Sequence, residues 1–302
     1  MCTALKYGHV MGRNFDYETS YGEEFVVIPP HKYDNIYAVM GICTMYTDAN
    51  GIYPLFYDGM NEHGLCMAGL AFEGNAHYAD PNNFEEWQGK KGMKVYDFIF
   101  KTLGHHNSVK EVELYLENII LVDKRISERY PNSDMHWLVC DKDDCIIIEQ
   151  TKDGLNWYNA ETNALTNNPP YPFQLTNYND EKDYIGCGTY PDKIWSTRGM
   201  ETDNLKGGYT SEERFIRVSY LKEKLEKSNY NTNDIAQTFH LLGSVEQIYG
   251  ATPVNDSFEY TIYSIAYDMD NVCAYIKTYD NLEVHRIALS EVKLSILKRF
   301  KI

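Results

Sequence analysis

Along the first third of the chain, apolar and β-forming residues come in short runs separated by turn chemistry. Val10 to Asp16, Phe25 to Ile28 and Ile36 to Met45 have the length and composition of strands. Asp48-Ala49-Asn50-Gly51 and Asn61-Glu62-His63-Gly64 are turn sequences. The period then changes. Tyr96, Phe98, Ile99 and Leu103 suit a helix, and Ser108 with Glu111 forms a capping-box pattern that opens a second one. His136 to Asn159 returns to strand, with turns at Lys142-Asp143-Asp144 and Lys152-Asp153-Gly154. Thr210 and Glu213 make another capping box, followed by Phe215, Val218, Leu221 and Leu225 at helical spacing. A further helix is predicted over Asp234 to Leu242, and strands over Tyr260 to Tyr267, Val272 to Tyr279 and Val284 to Leu289. Lysines and apolar residues after Ser290 suggest a short closing helix, and the polar stretch from Asn177 to Lys206 reads as a surface excursion.

Strands, helices, strands, helices and strands again is the order of an α+β protein with two sheets between helix layers. No internal repeat, low-complexity tract or interdomain linker interrupts it, so residues 1–302 read as a single domain. The 26 tyrosines strengthen the sheet reading, because Tyr favours strands and half-buried clefts. No segment has the apolar length of a membrane span and the start lacks the pattern of a signal peptide, which predicts a cytoplasmic protein. A formal charge of −16 argues against nucleic acid as a partner, since that needs a basic face.

The seven cysteines are scattered and do not suggest a disulfide framework. Cys140 and Cys145 flank a hairpin turn, and His63 with Cys66 has no second pair to complete a zinc site, so neither metal nor cofactor is expected. Cys2 is different because it follows Met1. Removal of Met1 would leave a thiol and a free α-amine on one residue, a nucleophile beside a base whose ordinary pKa is about 7.7–8.0. Such a unit suits attack on an amide carbonyl, passage through a tetrahedral oxyanion and a thioester, and hydrolysis. By itself the Met-Cys start favours a buried cysteine in a first strand, since free cysteines usually behave as small buried hydrophobes.

The rest of the chain changes that balance. "MCTALKYGHVMGRNFDYE", "YDGMNEHGLCMAGL", "MHWLVCDK", "ALTNNPPYPFQLTNY", "SEERFIR" and "FHLLGSVEQIYGATPVNDSFEYTIYSIAYDMDN" occur in that order over essentially the whole chain. Together they resemble the choloylglycine hydrolase family, which contains conjugated bile acid hydrolases and penicillin V acylases. The resemblance implies a four-layer αββα N-terminal-nucleophile hydrolase fold, with two stacked antiparallel sheets between helix layers. It implies Cys2 as nucleophile with Met1 removed, Asp16 bonded to the α-amine, and Arg13 beside the sulfur, where a cation favours thiolate. Asn167 would donate to the oxyanion, with the adjacent Asn168 as its rival, and Arg214 would complete the catalytic set. Tyr17, Phe56, Tyr57 and Ile126 correspond to residues lining the acyl pocket. A homotetramer acting on a small N-acyl amide is the implied assembly and partner.

Two departures bear on substrate. After Gly69-Leu70, where bile acid hydrolases typically carry Asn and penicillin V acylases Tyr, this chain has Ala71, which leaves only a backbone N–H for the oxyanion. The segment from Cys2 to Arg13 is also short, which forces a minimal hairpin around Tyr7-Gly8-His9. The expected substrate is a bile acid conjugated to glycine or taurine. The alternatives are penicillin V or another N-acyl amide, including a fatty amide or acyl homoserine lactone. A silent binding protein that retains Met1 and a glutamine amidotransferase are the more distant readings.

Overall fold

The structure is a computed structural model that describes every residue except 49–50, 129–131, 188–198, 229–232, 295–296 and 302. Its strands are β1 (Cys2–Tyr7), β2 (Val10–Tyr17), β3 (Glu24–Ile28), β4 (Val39–Asp48), β5 (Gly51–Asn61), β6 (Cys66–Ala71), β7 (Lys91–Lys94), β8 (Ile119–Val122), β9 (Met135–Cys140), β10 (Cys145–Thr151), β11 (Gly154–Asn159), β12 (Ala164–Leu165), β13 (Thr252–Val254), β14 (Ser257–Asp268), β15 (Cys273–Thr278), β16 (His285–Ala288) and β17 (Lys298–Lys301). Its helices are α1 (Phe98–His105), α2 (Val109–Leu116), α3 (Tyr171–Glu181), α4 (Ser211–Lys227) and α5 (Asp234–Gly243).

A seven-stranded antiparallel sheet runs β12-β1-β2-β14-β15-β16, with β13 added beside β14, and an eight-stranded antiparallel sheet runs β11-β10-β9-β6-β5-β4-β3-β17. The two stack face to face over Ala4, Met11, Met40, Met60, Ala68, Leu138 and Ile265. Helices α1 and α2 cover the outer face of the eight-stranded sheet through Phe98, Leu103, Val112 and Leu116. Helices α4 and α5 cover the seven-stranded sheet, and α3 packs on α4. This is the α+β, αββα arrangement. Both capping boxes lie where the spacing puts them: Glu111 N donates to Ser108 Oγ at the start of α2, and Glu213 N to Thr210 Oγ1 at the start of α4.

The first hairpin is as tight as the short spacing demands. β1 and β2 pair from Cys2↔Phe15 to Tyr7↔Val10, leaving Gly8 and His9 as the turn. Gly8 has φ +55°, and a Cβ there would lie 2.2 Å from the Asp234 carboxylate, so no other residue fits without a shift. Gly12 lets α5 approach, since a Cβ there would sit 2.4 Å from Thr238 Cγ2.

Three expectations need correction or restriction. The chain after Ser290 closes as strand β17 against β3, in the register Phe300↔Phe25, because pairing an otherwise open sheet edge overrides local helix preference. The supposed excursion from Asn177 begins inside α3, which runs to Glu181, and its 188–198 portion lies outside the described residues. The turn expected at 48–51 falls partly outside them too.

Candidate active site

Strand alternation decides what surrounds Cys2. Cys2, Ala4 and Lys6 of β1 share a face with Met11, Arg13 and Phe15 of β2, and this face looks into the space between the sheets. Thr3, Asn14 and Asp16 point the other way, toward the helices, where Asn14 Nδ2 donates to Leu242 O at the end of α5. Cys2 opens a central strand, so groups reach it from both sides of the sheet.

From the inter-sheet side, Arg13 Nη2 donates to Cys2 Sγ at 3.4 Å and to Gly69 O at 2.9 Å. Arg13 Nη1 donates to Asp58 Oδ2 and to Tyr263 OH at 2.9 Å. The guanidinium is 1% exposed and lies over the Phe15 ring, 4.8 Å from its centroid. Burial pulls its pKa down, but Tyr263, Cys2 and Asp58 outweigh that and hold it well above the usual value.

From the helix side, Arg214 of α4 donates through Nη1 to Cys2 O at 2.6 Å and Thr3 Oγ1 at 2.7 Å. Its Nη2 donates to Asn167 Oδ1 at 2.8 Å. Here burial wins and lowers the Arg214 pKa, although Asp16, Cys2 and Glu259 oppose it. Asp16 is also fully buried. Thr261 Oγ1 donates to its Oδ1 at 2.6 Å, Gln247 Nε2 to its Oδ2 at 3.1 Å, and Arg214 Nη1 stands 4.0 Å away. Burial raises the Asp16 pKa against the pull of Arg214, the N-terminal ammonium and Thr261.

The Asn167 loop closes the third side. Asn167 Oδ1 accepts from Cys2 N at 2.8 Å, and Nδ2 donates to Ala71 O at 2.8 Å. Ser211 Oγ accepts from Asn167 N at 2.8 Å, Gln174 Nε2 donates to Asn167 O, and His136 stands between Glu149 Oε1 and Thr166 O. Asn168 turns outward and bonds Glu73 O and Asn75. The structure therefore brings Asn167, not its neighbour, against Cys2. Phe72 N donates to Asp134 O of the chain leading into β9, so by alternation the N–H of Ala71 faces the opposite edge of β6. That is also the edge on which Gly69 O meets Arg13 and Ala71 O meets Asn167.

With Met1 in place, Cys2 N is an amide with one N–H, and Asn167 takes it rather than Asp16. The Met1 ammonium donates to Asp16 O at 2.7 Å and to Glu259 Oε2 at 2.6 Å.

The sequence-predicted residues Cys2, Arg13, Asp16, Asn167 and Arg214 thus converge, with Ala71 at their edge. Tyr57 meets the Phe15 ring at a tilt, 5.1 Å between centroids, and Tyr17 stacks on it at 6.2 Å, so both border the cluster. Phe56 does not join it. A bulge between Ile42 and Cys43 leaves Tyr57 unpaired and turns Phe56 to the outer face, where it stacks on Phe100 of α1 at 5.6 Å. Ile126 is half-buried in the loop after β8. Asp58, Tyr263, Tyr267, Gln247, Thr261 and Glu259 were not foreseen. Asp58, Gln247 and the β14 residues lie inside two of the quoted motifs, which was the available signal. All seven cysteines are free, and among the described residues no group of three or more His, Cys, Asp or Glu side chains could hold a metal ion.

Two stacked antiparallel sheets between helix layers, with the first residues of a central strand at the centre of the site, define an N-terminal-nucleophile hydrolase fold. Residues 2–300 match the family described as linear amide C–N hydrolases, choloylglycine hydrolase family, and the chain belongs to that family. It is 38% identical to a bile salt hydrolase/transferase of Lactiplantibacillus plantarum, over 97% of this chain and 94% of the relative. It is 32% identical to a bile salt hydrolase/transferase of Clostridium perfringens, again over 97% and 94%. The crystal structure of a cysteine-to-alanine mutant of conjugated bile acid hydrolase from Clostridium perfringens superposes with TM-score 0.89 at 30% identity, covering 100% of this chain and 97% of that one. Penicillin V acylase from Agrobacterium tumefaciens shares the fold at TM-score 0.75 and 18% identity, covering 100% and 91%. The chain is a hydrolase of linear amide bonds. Among the described residues no helix is long and apolar enough to cross a membrane.

Proposed function

We propose that the chain hydrolyses the amide bond of glycine- or taurine-conjugated bile acids, with Cys2 as nucleophile after loss of Met1. The observation that carries this reading is the convergence of Arg13 on Cys2 Sγ, Asn167 on Cys2 N and Arg214 on Cys2 O. The bile-conjugate substrate is supported by the bile salt hydrolases at 38% and 32% identity.

In this reading the freed α-amine takes the thiol proton, and the sulfur attacks the amide carbonyl while Arg13 stabilises its charge. Asn167 Nδ2 and the Ala71 N–H then stabilise the oxyanion. The protonated amine passes its proton to the departing glycine or taurine nitrogen, leaving a thioester on Cys2. Water, deprotonated by the same amine, attacks that thioester to release the bile acid and regenerate the thiol. Asp16 and Glu259, fixed by Gln247 and Thr261, become acceptors for the α-ammonium once the methionine is gone.

A second reading, hydrolysis of penicillin V or another N-acyl amide, is kept open by Ala71, which matches the residue of neither substrate class and brings only its backbone to the oxyanion edge. By family resemblance the enzyme is a homotetramer, which a native mass of one chain refutes. The test is intact mass before and after iodoacetamide, together with ninhydrin detection of amine release from glycocholate and taurocholate and parallel turnover of penicillin V. A mass lacking Met1, with alkylation at Cys2 abolishing amine release, is the expected result. Cleavage of penicillin V with both conjugates untouched overturns the bile acid assignment and leaves the amidase.

A further inference from the structure

Asp58 lies on β5 of the opposite sheet and is fully buried at the centre of a small polar network. Its Oδ2 accepts from Arg13 Nη1 and from Tyr263 OH at 2.6 Å, and its Oδ1 from Tyr267 OH at 2.5 Å. Tyr263 OH also accepts from the same Nη1 at 2.9 Å, so a carboxylate and a phenol grip one end of the guanidinium together. Its other end faces Cys2 Sγ and Gly69 O. Among the described residues Arg13 Nε has no hydrogen-bond partner, so these end contacts and the Phe15 face set the plane of the group. Tyr263 and Tyr267 lie on the inter-sheet face of β14 and are fully buried, and burial raises both phenol pKa values, which keeps both hydroxyls as donors.

Stability alone does not account for this arrangement. A buried ion pair rarely outperforms well-packed apolar residues of similar volume, because desolvation cancels most of the Coulombic gain. What the network does supply is orientation. A guanidinium on a flexible stem is held at one end by two fixed oxygens so that the other end presents an N–H to the sulfur.

We infer that Asp58, braced by Tyr263 and Tyr267, is the positioning residue that holds Arg13 against the Cys2 sulfur. This rests on the proposed function, in which that sulfur attacks the amide. Asp58 bonds Arg13, Tyr263 and Tyr267, and acts on the sulfur through Arg13.

The test uses Asp58→Asn, which keeps shape and an acceptor but removes the charge, and Tyr267→Phe, which removes one brace and leaves the Arg13–Asp58 contact in place. For each, the rate of Cys2 alkylation by iodoacetamide is followed against pH, and kcat and KM are measured on glycocholate. In D58N the half-maximal alkylation pH is expected to rise by about one unit, with kcat down about tenfold and KM within about twofold. Y267F is expected to move in the same direction by less.

A purely electrostatic role for Asp58 predicts the opposite sign. Without its carboxylate the Arg13 charge would act undamped on the sulfur, and the half-maximal pH would fall. A fall, or no change, in D58N protein that melts cooperatively overturns the positioning role. If D58N does not fold, Y267F decides: an unshifted profile with wild-type kcat overturns it. A wild-type enzyme that neither alkylates at Cys2 nor releases glycine instead sinks the proposed function, and this inference with it.

Discussion

The eight-stranded sheet has two faces, and they are built on different rules. Its outer face meets α1 and α2 through Val26, Val39, Phe98, Leu103, Val112 and Trp137, an apolar layer in which Phe98 meets Trp137 edge-on at 4.9 Å. Its inner face is also apolar over most of its area, but near Cys2 it carries Asp58, which meets Arg13, Tyr263 and Tyr267 of the seven-stranded sheet, all nearly or fully buried. Two layers a strand's thickness apart thus differ in how buried polarity is tolerated. The outer layer confines it to neutral amides, Asn61 and Gln150, that bond backbone groups of α1 and β8, and the inner one accepts a charged cluster in which every carboxylate oxygen of Asp58 finds donors. The difference teaches that a charged buried cluster is confined to the inner layer beside Cys2, where the proposed mechanism uses it, while the outer layer is built for packing.

The comparison is sharpest if changes on one side alter turnover and changes on the other alter only stability. The largest effect is expected from Cys2→Ala, with amine release reduced on the order of 10⁴-fold or more and a melting temperature close to the parent. Residual turnover above that level would place the nucleophile elsewhere. Next, Asn167→Ala should lower kcat by about 10²–10³-fold, the usual cost of one oxyanion donor, and steady-state kinetics on glycocholate will show whether KM absorbs the loss instead. On the outer face, Phe98→Ala should cost about 3–5 kcal/mol in urea unfolding while the folded fraction keeps its parental kcat. A proportionate fall in kcat would show that the two layers are not separable.

The smallest effect concerns Asp16, whose pKa is raised first by burial, with Arg214, the N-terminal ammonium and Thr261 opposing. A carboxyl whose folded pKa exceeds its unfolded one adds stability below the unfolded value, and loses that contribution as pH rises through the folded value. Asp16→Asn lacks that loss. Its melting temperature relative to the parent should therefore climb from acid toward neutral pH in calorimetry, while its turnover falls. A difference of the opposite sign would mean that Arg214 and Thr261 outweigh burial.

How much of this was legible depends on the range of the contact. The hairpin at Gly8, the caps at Ser108 and Thr210 and the helix over Asp234 follow from spacing within a few residues, and the structure has them there. Cys2, Arg13, Asp16, Asn167 and Arg214 could be gathered because each sits in one of several ordered motifs. Asp58 was quoted within such a motif yet passed over, since a lone Asp in a strand says nothing about a tyrosine 205 residues away. Phe56 was grouped with Tyr57 by resemblance, and the sequence does not show the bulge whose one inserted residue sends the two to opposite faces. Strand β17 was missed for a related reason, as Lys298 to Lys301 take their conformation from the open edge of β3 rather than from their own preferences.

The seat of the Met1 ammonium at Asp16 O and Glu259 turns a static contact into a question of timing. In the finished fold the amine that an aminopeptidase must grasp is already bonded at its base, and β1 is locked between β12 and β2. During synthesis those partners do not yet exist. At about 5–20 residues per second, Glu259 emerges roughly ten to fifty seconds after the first residues. On the proposed mechanism, trimming of the chain and closure of the sheet therefore compete, and their order would set how much of each batch of protein carries a usable nucleophile.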